Sequence, residues 1–432
     1  MRIAYIAAGA AGMLCGACIH DNTLAAAMQR KGHDVALVPT YTPIRTDERD
    51  VSLHRVFYGG VNVYLQQKAA VFRRTPWALD RLLDGRPLLN ALSRFSSATS
   101  ARDLGGLTVS ILRGEHGRQS KELAKLVRWL RDEHRPDIVQ LTNSMFVGMA
   151  GPIKDALGVP VLCALQGEDI FLDDLQEPYR SDAHAELRKR ARDVDGFIAP
   201  CRYYADAMTD YMDVPADRVH VVPLGIGMRG HSATRAELPD DPFVIAYLAR
   251  ICPEKGLHIL IDAVIELLRE RGADAATLRV AGYLGTTDMP YFDDCAERMS
   301  EAGFAARMQH LGEVDRAAKI DMLASAHVLS VPTVYREPKG LFALEAMANG
   351  TPVVVPAHGG FPEMIEQTGG GVLVAPNSPQ AVADGIRRLM DDRRLRDSLG
   401  GAGQEAVRRD RNDELMADRT LAVYQQYLDP NG

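Results

Sequence analysis

The sequence is short of cysteine, has no long apolar run and carries no basic excess, and each shortage closes off a class of protein. Six cysteines among 432 residues are too few for a disulfide-held scaffold, which leaves a reducing cytoplasm as the expected compartment. No stretch approaches the ~20 uninterrupted apolar residues of a membrane-crossing helix, so an integral membrane protein is not expected. A net charge of −7 gives the whole molecule no electrostatic reason to seek nucleic acid. Low-complexity tracts are missing too, and the only internal likeness is between two halves. The opening, Met1–Cys18, has one early Arg and then small apolar residues, as a secretory leader does. Gly9, Gly12 and Gly16 interrupt it, and it runs straight into an amphipathic segment, so it reads as a first strand and the helix after it.

What is present is an ordinary globular composition, 46% hydrophobic and 25% charged, with length for two domains or three small ones. Short apolar runs alternate with helix-length periodic segments, the pattern of strand–helix units on a parallel sheet. In the first half the strands are expected at Ile3–Ala7, Val35–Val38, Ile138–Gln140, Val159–Ala164, Gly196–Ala199 and Val219–Val221. In the second they are expected at Phe243–Leu248, Leu278–Gly282, Met308–Leu311, Val328–Val331, Val353–Val355 and Val372–Val374. The polar stretch with Gly230, Pro239 and Pro242 suggests domains at 1–230 and 243–405 with a linker at 231–242. From Pro379 the pattern is helical, and 406–432 is long enough to cross back onto the first domain. Between Tyr41 and Pro136 the alternation is lost, apart from an extra strand expected at Val61–Leu65. From Lys68 to Arg135 there are 14 Lys or Arg against 7 Asp or Glu. This local basic region reads as a solvated helical face, or as the receiver of an anionic partner such as a phosphorylated acceptor or an anionic membrane surface.

The chemistry concentrates in Arg336-Glu337-Pro338-Lys339-Gly340-Leu341-Phe342-Ala343-Leu344-Glu345-Ala346-Met347-Ala348-Asn349-Gly350. Glu337 is placed in the loop at the carboxyl end of strand Val328–Val331, where open α/β sheets bind ligands. Glu345 falls about one turn inside the following helix, and the N–H groups of Gly340 and Leu341 are free to face a ligand at the helix start. Carboxylates beside peptide donors suit a ligand with both hydroxyls and phosphate. The apolar neighbours Leu341, Leu344 and Met347 predict a buried helix, and a buried Glu needs a hydrogen-bonding partner.

This Glu-x7-Glu segment, with Thr351-Pro352-Val353-Val354 and Gly359-Gly360-Phe361-Pro362-Glu363-Met364-Ile365 after it, resembles the nucleotide-sugar site of retaining glycosyltransferases of family 4, which have the GT-B fold. Upstream, Arg250 and Lys255 in Leu248-Ala249-Arg250 and Pro253-Glu254-Lys255-Gly256-Leu257 resemble the family's Arg-x4-Lys element. A planar Arg fork and a Lys point charge together suit a diphosphate leaving group. Gly9-Ala10-Ala11-Gly12-Met13-Leu14-Cys15-Gly16 is similar to the family's glycine-rich loop, and it lacks the G-x-G-x-x-G spacing of a dinucleotide site. Where many relatives have His-Gly, this chain has Gln166-Gly167-Glu168-Asp169, and a Gln binds a hydroxyl without titrating.

The resemblance implies two doubly wound Rossmann-like α/β domains facing across a cleft, with the C-terminal helix returning to the N-terminal domain. It implies a retaining transfer from a nucleoside diphosphate sugar, UDP-sugar favoured and GDP-sugar second, to a hydroxyl of a glycan, lipid or small molecule. Arg250, Lys255 and Glu337 would be catalytic. Gly12, Gly16, Gly340, Leu341 and Glu345 would complete the donor site, with Glu345 on the ribose, Glu337 on the sugar, and no metal or other cofactor. His20, Gln166, Glu168 and Asp169 are the acceptor-side candidates.

Other motifs carry rival readings. Cys15-Gly16-Ala17-Cys18 is a C-x-x-C at a helix start, where thiolate pKa values fall, and a thiol oxidoreductase would be built on it. His20 and Asp21 open the first helix and read as caps, or as acceptor contacts. Asp193-Val194-Asp195 matches a D-x-D metal pattern but precedes its strand, on the wrong end for a site. A non-catalytic sugar-nucleotide-binding protein, or an epimerase or phosphorylase of the same fold, would keep the second-domain motif.

Overall fold

The computed structural model describes residues 1–9, 15–58, 101–231, 237–239 and 241–429. Two compact units divide the chain, Met1–Pro223 joined by the segment from Glu414, and Leu224–Asp413. The strand expected at Val61–Leu65 and the loop residue Gly12 lie outside the described residues.

The first unit is built on six parallel strands, β1 (Arg2–Ala7), β2 (Asp34–Pro39), β3 (Ile138–Leu141), β4 (Val161–Ala164), β5 (Gly196–Ala199) and β6 (Val219–Val221), in the order β2-β1-β3-β4-β5-β6. Ile3 sits between Val35 and Ile138 in register. Strands covered on both faces read as continuous apolar runs, and Ile3–Ala7 are all fully buried. Helix Gly16–Arg30 joins β1 to β2, after which the chain returns to the other side of β1 to lay down β3. The strand order therefore reverses between β1 and β3, which makes their carboxyl ends a topological switch point. Leu112, Leu123, Leu126 and Leu130, from the segment between β2 and β3, share one core with Val139, Leu141, Val161 and Phe197.

The last helix, Asp413–Leu428, belongs to this unit from Glu414 on. Lys31 Nζ lies 2.8 Å from Asp418 Oδ1 and 3.2 Å from Glu414 Oε2, His220 Nε2 is 2.7 Å from Tyr427 OH, and Tyr424 is fully buried.

The second unit repeats the plan with β7 (Phe243–Leu248), β8 (Ala276–Ala281), β9 (Met308–Gly312), β10 (Val328–Ser330), β11 (Val353–Pro356) and β12 (Gly371–Val374), ordered β12-β11-β10-β7-β8-β9. All its pairings are parallel, and its switch point lies between β7 and β10. The division between units comes earlier than the Gly- and Pro-rich stretch at 231–242. Ile226 bonds across to the returning chain, its N–H donating to Arg411 O at 2.9 Å and its carbonyl accepting from Asp413 N–H at 3.0 Å. That pairing ties residues 224–231 to the second unit, and it joins positions nearly two hundred residues apart that no local composition reveals. Likewise the crossing segment begins at Glu414 and not at 406, because helix Arg393–Asp410 stays on the second unit.

Candidate active site

Strands β7 and β10 are neighbours, and each is followed by a loop that feeds a helix through a glycine in the left-handed region. Gly256, at φ +71°, starts helix Leu257–Arg271, and Gly340, at φ +61°, starts helix Leu341–Ala348. The two loops touch. A Cβ on Gly256 would come within 2.0 Å of Pro332 O, and Val334 N–H donates to Glu254 O at 2.9 Å. Gly256→Ala therefore meets both a disfavoured φ and a carbonyl that cannot move aside. It is expected to cost about 2 kcal/mol or more, seen as a lower melting temperature, and an unchanged melting temperature would show that the loops can part.

Arg250, Lys255 and Glu337 all come from these loops. Lys255 Nζ donates to Glu337 Oε2 at 2.6 Å and to the Tyr335 hydroxyl, which in turn donates to the same carboxylate oxygen. The ammonium also lies 4.8 Å from the Tyr335 ring centroid and 5.6 Å from that of Phe342, an arrangement that favours a cation. Glu337 Oε1 accepts the N–H groups of Lys339 at 3.2 Å and Gly340 at 3.3 Å. Burial alone would push this carboxyl up, but Lys255 and Tyr335 outweigh it and hold it at about 2. Arg250 differs in being half-exposed. Its Nε donates to Cys252 Sγ at 3.2 Å, and a guanidinium nitrogen stands 3.7 Å from Glu254 Oε2, so a solvent-facing guanidinium accompanies the part-buried Lys255.

Glu345 lies one turn into its helix and is buried, as its apolar neighbours require. Its partner is Lys319 from helix Arg316–Ala324, with both side chains less than a tenth exposed. Asn349 Nδ2 donates to the Glu345 carbonyl at 2.9 Å, and Asn349 Oδ1 is 3.2 Å from His231 Nδ1. Burial and the nearby Arg316 push the His231 imidazole down to about 4, so it serves this chain as a neutral ring. Sequence reasoning missed Lys319 and Tyr335. A lone Lys on a helix reads as solvated. The only hint was its spacing of three and four to Met322 and Leu323, which are buried.

Two expectations for this loop need correction or narrowing. The N–H of Gly340 turns to Glu337 and not to open space, and Leu341 N–H is left without a hydrogen-bond partner among the described residues. Gly16, from the first unit's loop, is the first residue of helix Gly16–Arg30.

That helix start also corrects the capping reading of His20 and Asp21. The N-cap is Cys15, so both residues lie inside the helix, beyond its first turn. The Cys18 thiol is buried and pushed up, by its hydrogen bond with Cys15, by burial and by Asp21. At Cys18 these effects outweigh the lowering that a helix start gives a thiolate. Asp195 of the D-x-D pattern accepts from Lys154 Nζ at 2.7 Å and Val161 N–H at 2.8 Å, a structural brace at the amino ends of β4 and β5. Among the described residues no cluster of three His, Cys, Asp or Glu side chains could hold a metal.

Of the acceptor-side candidates, three are tied into the loop after β4. Glu168 is buried, and its two oxygens accept Ser144 N–H at 2.7 Å and Gln166 N–H at 2.6 Å. Burial pushes its carboxyl up against these bonds. Asp169 accepts from Tyr204 OH at 2.5 Å, while Tyr204 OH accepts Gly167 N–H at 2.9 Å. Gln166 Nε2 donates to Thr142 O at 2.8 Å and to Asp21 Oδ1 at 2.9 Å. His20 is the fourth. Its Nδ1 lies 3.1 Å from Asp21 Oδ1.

Comparison with known proteins agrees with this layout. The family model for group 1 glycosyl transferases matches residues 232–406, and that for glycosyl transferase 4-like domains matches residues 20–225. An uncharacterized glycosyltransferase of Methanocaldococcus jannaschii is 32% identical over 193 residues, 45% of this chain and 47% of that one. The D-inositol 3-phosphate glycosyltransferase of Segniliparus rotundus is 30% identical over 300 residues, 64% of this chain and 63% of that protein. The chain thus spans about half to two thirds of the length of the curated relatives it matches. Among solved structures, sucrose-phosphate synthase from Thermosynechococcus elongatus superposes with a TM-score of 0.73 at 19% identity, covering 99% of both chains. HepE of Anabaena, in complex with UDP, gives 0.69 at 16% identity over 99% of this chain and 100% of the other. With two doubly wound units, the Glu-x7-Glu and Arg-x4-Lys residues gathered at one switch point, and two glycosyl transferase family models meeting near residue 230, the chain belongs to the group 1, family 4-like glycosyltransferases of GT-B fold.

Proposed function

We propose that the protein transfers a glycosyl group from a nucleoside diphosphate sugar to an acceptor hydroxyl with retained anomeric configuration. The observation that supports this best is the joining of Arg250, Lys255 and Glu337 at the carboxyl ends of β7 and β10, with two helix starts beside them. An anion placed there meets two cations and peptide donors, and the positive ends of helix dipoles add to the attraction. In this reading Arg250 and Lys255 stabilise the charge that develops on the departing diphosphate, the step at which preorganised charge has its largest effect. Glu337 keeps Lys255 in place, and to bind a sugar hydroxyl it exchanges one of the two peptide N–H bonds, from Lys339 at 3.2 Å and Gly340 at 3.3 Å, that its Oε1 now accepts. Glu345, fixed by Lys319, takes the ribose hydroxyls. The acceptor proton passes to the leaving phosphate oxygen, which needs no protein nucleophile and no metal.

UDP is the first base to test, because HepE is solved with UDP and with UDP-glucose. Inositol 3-phosphate is the first acceptor, because it stands in the name of several relatives. The experiment incubates the protein with UDP- and GDP-sugars and this acceptor, with EDTA present, and reads nucleotide release and product anomer by NMR. An α-linked product from an α-linked donor, with free nucleoside diphosphate, is the expected result. An inverted product would overturn retention. Nucleotide-sugar binding without transfer or hydrolysis would make the protein a non-catalytic binder.

A further inference from the structure

Lys255 carries its charge on a flexible four-carbon stem, yet its ammonium is hydrogen-bonded at two points and lies near two aromatic rings. One point is Glu337 Oε2, at 2.6 Å, and the other is the Tyr335 hydroxyl. The rings are those of Tyr335 and Phe342. A single carboxylate contact would let the ammonium swing about that oxygen, whereas two contacts from different residues fix its direction. An ammonium has three N–H donors. Two are taken by Glu337 and Tyr335, and the third has no acceptor among the described residues. The Lys255 side chain is 18% exposed, so a ligand can still reach it.

The Tyr335 hydroxyl is itself held in place. It donates to Glu337 Oε2 while accepting from Lys255, which closes a ring of three hydrogen bonds. Burial and the Glu337 charge push its phenol up, so the proton that it shares with Glu337 stays on the hydroxyl. The backbone on either side is pinned as well. Thr333 O lies 3.0 Å from His358 Nε2, Val334 N–H donates to Glu254 O at 2.9 Å, and Glu337 O accepts Gly360 N–H at 2.8 Å. Tyr335 thus belongs to an anchored loop and meets a long, rotatable side chain from the loop beside it.

We propose that Tyr335 is a positioning residue of the donor site, its hydroxyl directing the third N–H of Lys255 toward the diphosphate. This rests on the glycosyl-transfer reading and adds to it a residue outside the Glu-x7-Glu and Arg-x4-Lys elements. All the groups involved belong to the second unit. Charge develops on the phosphate next to the sugar, and a nucleoside monophosphate lacks that phosphate. Losing the Tyr335 hydroxyl should therefore weaken diphosphates and leave monophosphates as they were.

Calorimetric titration of UDP against UMP, GDP against GMP and ADP against AMP measures this difference. The wild type is expected to prefer the diphosphate. Tyr335→Phe, which keeps the ring and removes the hydroxyl, should reduce that preference by on the order of tenfold, with monophosphate affinity unchanged. Lys255→Gln, which removes the charge but keeps a donor for the buried carboxylate, should reduce it at least as far. In the Lys255→Gln background, Tyr335→Phe should change the preference by less than about twofold, because no ammonium remains for it to direct. An unchanged preference in Tyr335→Phe, mono- and diphosphates weakened alike with a falling melting temperature, or losses that multiply in the double variant would each overturn the proposal. If the wild type binds none of these nucleotides, the glycosyl-transfer reading falls and takes this inference with it, whereas nucleotide binding with an unaffected Tyr335→Phe overturns this inference alone.

Discussion

Lys255→Ala is expected to lower glycosyl transfer by on the order of a hundredfold to a thousandfold, and to destabilise the second unit by about 3–5 kcal/mol. Both effects follow from the same ion pair. Lys255 Nζ is 2.6 Å from Glu337 Oε2, and Glu337 is 5% exposed. Removing the ammonium leaves a buried carboxylate with only Tyr335 and two peptide N–H groups to hold it. The catalytic loss reflects a cation missing where diphosphate charge grows. The stability loss has a pH signature. The Glu337 carboxyl is held at about 2 in the folded protein, against ~4.3 in an unfolded chain. Because the folded value is the lower one, the pair contributes fully above about pH 4.3, on the order of 3 kcal/mol. That contribution fades as the pH falls from there toward 2. Urea denaturation between pH 3 and pH 6 should show a steeper acid loss in the wild type than in Lys255→Ala. Parallel curves with unchanged turnover would contradict the assignment.

The pair Lys319–Glu345 separates stability from binding. Each single variant, Lys319→Met or Glu345→Leu, strands one buried charge and should cost about 3–5 kcal/mol. Changing both replaces a buried ion pair by apolar side chains of similar volume, which is often neutral or stabilising. The double variant should therefore return to within about 1 kcal/mol of the wild type. Nucleotide binding should not return with it, because no carboxylate remains for the ribose hydroxyls. A double variant that is stable and still binds nucleotide would make Glu345 a structural residue.

The fold was readable in the sequence because parallel strands are buried on both faces. All twelve strands were expected where apolar runs alternate with periodic segments, and nine of them shift at one or both ends by a residue or two. Val161–Ala164 starts later than expected, after Pro160, whose carbonyl accepts Val139 N–H at 3.0 Å but which has no N–H to donate. The donor-side carboxylates and cations were legible through spacing, since Arg250, Lys255 and Glu337 lie between a strand end and a glycine that starts a helix, and Glu345 lies one turn past the second glycine. What could not be read was long-range pairing. Nothing near Lys319 announces Glu345, twenty-six residues on, and Ile226 gives no sign of Arg411. The same holds for the bonds of Gln166 Nε2 to Asp21 and Thr142, which no local pattern announces. At the Cys15–Cys18 motif local position predicts a lowered thiolate pKa at a helix start, whereas the Cys18 thiol is pushed up by its hydrogen bond with Cys15, by burial and by Asp21.

The most direct test is calorimetric titration of UDP, GDP and ADP into the wild type and into the Lys319→Met/Glu345→Leu double variant, without added metal. Saturable binding of one nucleoside diphosphate to the wild type, lost in the stable double variant, is the predicted result. Equal binding to both proteins, or no binding of any of the three to the wild type, would contradict a nucleotide-sugar site at the carboxyl ends of β7 and β10.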